Sequence, residues 1–124
     1  MAGPVPVTLV TGPSAGAREA AIASLLDGAA PSGGFSAVIL EGLAAGTTLI
    51  PDDAPVRLVR LAPGCVCCTG NLVLRVTLNR ILRSRPASLF IGVADTAHLD
   101  QLRSWLQQPP YDQLLNVTPD LIAP

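Results

Sequence analysis

No lysine occurs anywhere in this 124-residue chain; all eight basic residues are arginine. The ammonium that reaches the β- and γ-oxygens in a phosphate-binding loop therefore cannot be supplied, nor can the lysine of a guanine-reading N-K-x-D motif. Aromatic residues are scarce, and a single Trp and a single Tyr are too few for a platform on which nucleobases stack. A net charge of -1 provides no field to gather nucleic acid or an anionic membrane surface. The apolar runs are too short to span a bilayer. Three cysteines, an odd number, with no signal peptide ahead of them argue against a secreted disulfide framework, so the expected setting is a reducing cytoplasm.

What the chain does contain is apolar residues, 49% of the total against 14% charged. That is enough for one core at this length, and residues 1–124 are read as a single domain. So little charge leaves apolar surface that a partner or a second copy of the chain can cover, which makes a homo-oligomer one expectation.

Val5 to Val10 is β-branched and apolar between Pro4 and Gly12, a strand buried on both faces. Thr11 to Gly16 reads as a small-residue loop, and Ala17 to Asp27 as a helix with Ile22, Leu25 and Leu26 on one face and Gly28 as its stop. Ala37 to Leu40 is a second strand ending at Glu41. Gly42 to Pro55 is loop-like with room for a short strand at Thr47 to Ile50, and Val56 to Leu61 is an alternating strand whose Arg57 and Arg60 need a solvent or partner side. Asn71 to Arg85 carries a stripe of Leu74, Leu78, Ile81 and Leu82 opposite Arg75, Asn79 and Arg83. Leu89 to Val93 is a further strand. A helix from Ala97 to Gln107, capped by Asp95 or Thr96, turns Leu99, Leu102 and Leu106 inward. The stretch from Tyr111 holds a helical turn and a strand near Leu115 to Thr118, which Pro119 interrupts. Strands alternating with helices predict an α/β domain with a mostly parallel sheet flanked by helices.

All three cysteines fall within Gly64-Cys65-Val66-Cys67-Cys68. The spacing C-x-C-C concentrates soft thiolate ligands on one loop and suits Zn²⁺ or another soft divalent or monovalent metal such as Cu(I), with a fourth ligand arriving from elsewhere. A redox-sensitive loop without an ion is the competing reading, and adjacent Cys67 and Cys68 can bridge only through a strained ring.

The loop after the first strand, Thr11-Gly12-Pro13-Ser14-Ala15-Gly16-Ala17-Arg18-Glu19, sits where G-x-x-x-x-G-K-[ST] belongs. Gly12 fits, but Ala17 stands for the second glycine, Arg18 for the lysine and Glu19 for the hydroxyl that holds Mg²⁺. Glu19 thus brings a carboxylate toward the place of the γ-phosphate. The plain reading is a connecting loop. Any residual phosphate contact falls to Gly12, Gly16 and Arg18 at the helix N-terminus.

Taken in order, Thr11-Gly12, Val38-Ile39-Leu40-Glu41, Arg60-Leu61-Ala62-Pro63-Gly64-Cys65-Val66-Cys67-Cys68-Thr69, Asn71-Leu72, Arg85-Pro86 and Ile91-Gly92-Val93-Ala94-Asp95-Thr96-Ala97-His98-Leu99 resemble the amino-terminal part of a CobW-type metallochaperone GTPase. The resemblance runs over roughly residues 5 to 118, and its most specific element is G-C-x-C-C between a strand and a helix. It implies a P-loop-NTPase-like topology, here a truncated G domain with a degenerate phosphate loop. It also implies metal-ligand roles for Cys65, Cys67 and Cys68, for Glu41 beside the switch region, and for His98, which falls where the family has Asp or His. On their own, Glu41 reads equally as a surface carboxylate and His98 as a surface or capping residue. The departures are Gly92 in place of a strand-end glutamate, Leu40 in place of the asparagine before Glu41, and Ala44 at a second acidic position; the chain also stops before any guanine-specificity motif.

The function that follows is metal trafficking or sensing by a CobW-like protein, with GTP hydrolysis lost and a client metalloprotein as recipient. The alternative is a non-catalytic interaction subunit, a pseudo-GTPase pairing with itself or with a full-length relative. The only enzymatic reading is a weak GTPase completed by a partner chain. Arg75, Arg80, Arg83 and Arg85 on one helix read as a solvated face or as a dock for an acidic partner.

Overall fold

The computed structural model describes residues 4–12, 14–28, 35–41, 56–61, 72–84, 86–93, 99–109, 111–119 and 121–122. Its elements in chain order are β1 (Val5–Thr11), α1 (Ala15–Gly28), β2 (Ser36–Glu41), β3 (Val56–Leu61), α2 (Leu72–Arg83), β4 (Ser88–Gly92), α3 (Leu99–Leu106), α4 (Tyr111–Leu114), β5 (Leu115–Val117) and β6 (Leu121–Ile122). The strands form one sheet in the order β3-β2-β4-β1-β5, with β6 also paired to β1. Every pairing among the described strands is parallel. The expected α/β architecture, a parallel sheet flanked by helices, is what the chain adopts, and it is consistent with a P-loop-like fold.

Parallel neighbours need crossovers, and crossovers are right-handed. The chain moves one way across the sheet from β1 to β2 through α1, then returns from β3 to β4 through α2 and on to β5 through α3 and α4. Reversing direction puts α1 on one face and the other helices on the opposite face. Side-chain alternation records the split. Val7, Leu9, Ala37, Ile39, Leu89, Ile91 and Val93 pack with Leu74, Leu78 and Ile81 of α2, Leu102 and Leu106 of α3, Tyr111 and Leu115. Val10, Val38, Leu40 and Phe90 pack on the other side with Ile22 of α1. Each fully buried Leu or Ile contributes roughly 1.5–3 kcal/mol.

Boundaries differ from the sequence expectation where local polar groups decide them. α1 starts at Ala15 rather than Ala17 because Ser14 caps it: its Oγ accepts from the Ala17 N–H at 3.1 Å, the geometry of an N-cap side chain serving the third helical residue. α2 stops at Arg83, short of the expected Arg85, with a tighter closing turn in which the Ser84 N–H donates to the Ile81 carbonyl at 3.0 Å. Leu74, Leu78 and Ile81 of its stripe are buried, while Leu82 is only partly so. α3 ends in two further three-residue turns, Gln107 N–H to Ser104 and Gln108 N–H to Trp105. β4 runs Ser88–Gly92, and the Val93 N–H continues its ladder by donating to Val10 at 2.8 Å. Pro119 does divide the last strands, but a two-residue β6 beyond it was not anticipated. The strand considered at Thr47 to Ile50 and the caps considered at Asp95 and Thr96 lie outside the described residues. No helix among the described residues is long and apolar enough to cross a membrane.

Candidate functional site

In a parallel sheet all strands end on the same side, and ligand sites of open α/β sheets lie outside those carboxyl ends. Four of the described strands end at this edge just before, or at, residues singled out by their chemistry. β1 ends at Thr11 and leads into Gly12, β2 ends at Glu41, and β3 ends at Leu61, directly before the segment with the cysteines. β4 ends at Gly92 and leads toward the segment with His98. Because β3, β2 and β4 are consecutive in the sheet, three of those exits lie on neighbouring strands about 5 Å apart, within about 10 Å in all. Glu41 and Leu61 are register partners, so the Glu41 backbone stands beside the last residue before the thiol-bearing segment. Cys65, Cys67, Cys68 and His98 themselves lie outside the described residues, as does Ala44. Among the described residues no three His, Cys, Asp or Glu side chains gather into a cluster.

The loop after β1 is described in more detail. Arg18, at the lysine position of a phosphate loop, is 7% exposed and its Nη1 donates to the Gly12 carbonyl at 3.0 Å. The guanidinium therefore closes the loop onto its own backbone. Ser14 takes one of the helix's leading amides, that of Ala17, which in a phosphate loop would face the anion. Gly16 is exposed, and among the described residues a Cβ there would meet Ser14 Oγ at 3.9 Å, an ordinary contact.

Glu19, at the hydroxyl position, is buried and forms an ion pair across the sheet face with Arg60 of β3. Arg60 Nη2 donates to Oε1 at 3.1 Å and Nη1 to Oε2 at 3.5 Å, a fork-on-carboxylate arrangement. The Arg60 and Glu19 side chains are 20% and 8% exposed. Sequence alone asks for a partner for Arg60 and marks Glu19 as misplaced; it does not join the two, because 41 positions separate them and only the fold brings the Glu19 side chain of α1 to Arg60 of β3. Alternation along β3 was the available signal, since Arg57 and Arg60 fall on opposite faces.

At the end of β4, Gly92 is buried and a Cβ would lie 3.0 Å from Leu40 Cδ2 and 3.7 Å from Ile22 Cδ1. Two departures from the CobW-type pattern, Leu40 and Gly92, are thus one packing solution, the leucine side chain filling the volume that a larger residue at 92 would need.

On the other face Tyr111 is buried, its hydroxyl donates to Asn79 Oδ1 at 2.8 Å, and its ring packs on Trp105 with centroids 5.0 Å apart. Burial pushes the Tyr111 phenol above its ordinary value, and the Arg75 charge partly offsets that rise. Arg75, Arg80 and Arg83 are exposed along α2, and the Arg75 guanidinium lies 6.0 Å from the Trp105 ring. These are rim contacts.

No family model, curated protein or solved structure matches the chain.

Proposed function

We propose that this chain is a CobW-like metal-binding protein, acting in metal trafficking or sensing, that has given up nucleotide hydrolysis. Cys65, Cys67 and Cys68 would hold Zn²⁺ or another soft ion as thiolates, with Glu41 or His98 in the remaining position. Three thiolates and an exchangeable fourth ligand suit capture and transfer to a client metalloprotein better than permanent storage. The observation that carries the reading is the common carboxyl edge. Glu41 and the segments with the cysteines and His98 follow from the ends of three consecutive strands, so the points from which these residues are carried lie within about 10 Å of one another.

A nucleotide fits the described residues poorly. Arg18 is committed to the Gly12 carbonyl, and Glu19 holds a carboxylate near the place where a metal-bound hydroxyl would be required. The same internal ties favour the second reading, a non-catalytic interaction subunit, in which the degenerate loop serves only the fold. A weak GTPase completed by a partner would need both ties to open.

Elemental analysis of untagged protein purified under reducing conditions tests the proposal. Zinc near one equivalent, lost when Cys65, Cys67 and Cys68 are all replaced by Ser and reduced in Cys67→Ser, is the expected result. A metal-free protein from zinc-replete medium overturns it in favour of the interaction subunit. Titration with a fluorescent GTP analogue and Mg²⁺ is expected to give no binding.

A further inference from the structure

We infer that the outer face of α2 docks on the α3–α4 surface of a second copy of this chain, forming a two-fold homodimer held by opposite charge. The pairing requires no metal. A net charge of -1 conceals a lopsided distribution. Arg57, Arg60, Arg75, Arg80, Arg83 and Arg85 all fall between Asp53 and Asp95, a stretch without an acid, and only Arg18 and Arg103 lie elsewhere. On α2 the inward stripe is Leu74, Leu78 and Ile81, while Arg75, Val76, Asn79, Arg80 and Arg83 are exposed. Val76 stands 49% exposed among those arginines. The helix carries no acid to answer them, and none of the three forms an ion pair among the described residues. Arg80 and Arg83, three positions apart, repel one another, a cost that an acidic surface would relieve.

That surface lies on the neighbouring helices. α3 and α4 share a layer with α2, since the Tyr111 hydroxyl reaches Asn79 and the Trp105 ring lies 6.0 Å from the Arg75 guanidinium. Their exposed residues include Asp100 and Asp112, with Leu114 45% exposed. Arg103, the one cation of α3, is turned to the Thr118 carbonyl. A basic surface with an apolar residue thus adjoins an acidic surface with an apolar residue. A two-fold axis perpendicular to such a layer lays each surface on its opposite in the partner, and does so twice. A foreign acidic partner would satisfy α2 and leave Asp100, Asp112 and Leu114 uncovered, whereas a second copy covers both sides.

Sedimentation equilibrium of the full untagged chain under reducing conditions is expected to show a dimer. Its dissociation constant should rise about tenfold between about 50 mM and about 500 mM NaCl. Arg80→Glu/Arg83→Glu puts acid on both surfaces, and Asp100→Arg/Asp112→Arg puts base on both. Each variant alone should associate about a hundredfold more weakly, because each reversal is felt twice across the axis. Mixed in equal amounts, the two variants should dimerise with each other, since both contacts then join opposite charges. Ile122→Ser, at an apolar residue 76% exposed in β6, should leave association unchanged. A monomeric wild type, a wild-type dimer indifferent to salt, dimers that survive both reversals, or loss of the dimer in Ile122→Ser overturns the inference. So does a mixture that stays monomeric while both variants keep native circular dichroism. A monomeric wild type whose Trp105 fluorescence responds to polyglutamate assigns α2 to an acidic partner instead. Each of these outcomes leaves the metal-binding reading standing.

Discussion

The two faces of the sheet do different work. The α2–α3 face holds the larger apolar cluster, layered from Val7 and Leu9 through Ile39 and Ile91 to Leu78 and Leu106, with polar contacts towards its margins: Tyr111 to Asn79, Arg57 to Ser84 and Arg103 to the Thr118 carbonyl. The α1 face holds a smaller cluster around Ile22, Val38 and Phe90 and adds the polar ties: Glu19–Arg60, Arg18 to Gly12, a 2.9 Å bond between the Ser36 and Ser88 hydroxyls and another between Thr8 and Thr118. The larger apolar cluster thus lies on one face and the Glu19–Arg60 ion pair on the other. Arg18 and Glu19, which depart from the phosphate-loop pattern, make their contacts on the second face, where Leu40 and Gly92 also pack.

Substituting Gly92→Glu attacks that contrast most directly. If the α1 face had room for a polar site at the end of β4, the carboxylate would be tolerated. With Leu40 and Ile22 occupying the space, overpacking joined to a buried charge is expected to cost about 4 kcal/mol or more, read as loss of the cooperative urea transition. Leu78→Ala probes the opposite face, where a fully buried side chain leaves a cavity, and should destabilise by about 3 kcal/mol. Its melt should stay cooperative, and the α1 ties should stay intact. Tyr111→Phe removes one partly buried hydrogen bond and should cost about 1 kcal/mol in urea melts at neutral pH.

The same tyrosine sets an alkaline limit. Its pKa is raised in the folded state above the ordinary 10.0, so the folded chain holds the phenolic proton more tightly than the unfolded one. This contribution is present in full below pH 10.0 and is lost as the pH climbs through the folded-state value. Tyr111→Phe should flatten that part of the pH profile. The smallest effect is expected at Gly16→Ala. With a Cβ there at an ordinary contact distance of 3.9 Å from Ser14 Oγ, alanine should stabilise α1 by about 0.5 kcal/mol, whereas a fall in stability would show that the loop's glycine is required by the fold after all.

Much of the architecture was legible because buried parallel strands are apolar throughout and their helices carry stripes. Val56 to Leu61 came out to the residue, and Leu74, Leu78 and Ile81 named the inward face of α2. α1 was harder. Its small residues spread almost evenly around the axis, and its first turn depends on the Ser14 hydroxyl rather than on any apolar period. β6 is too short to leave a pattern and exists only because β1 offers it a ladder. At the candidate site, residue types were readable and partnerships were not. Glu19 stood out as an acid in a phosphate loop, Arg60 as a cation in an apolar strand, and Gly92 as a missing side chain. Each acquires its explanation from a residue on another element, which local sequence cannot announce.

The sheet order also has a consequence during synthesis. β1 is made before every strand it is seen to pair with: Val7 pairs with Leu89, Val5 with Leu115 and Val10 with Leu121. At translation rates of roughly 5–20 residues per second, β1 waits about 4–16 s before its β4 neighbour is made. Throughout that interval Val5 to Thr11 is an apolar segment with open backbone donors and acceptors, the kind of sequence on which ribosome-associated chaperones act.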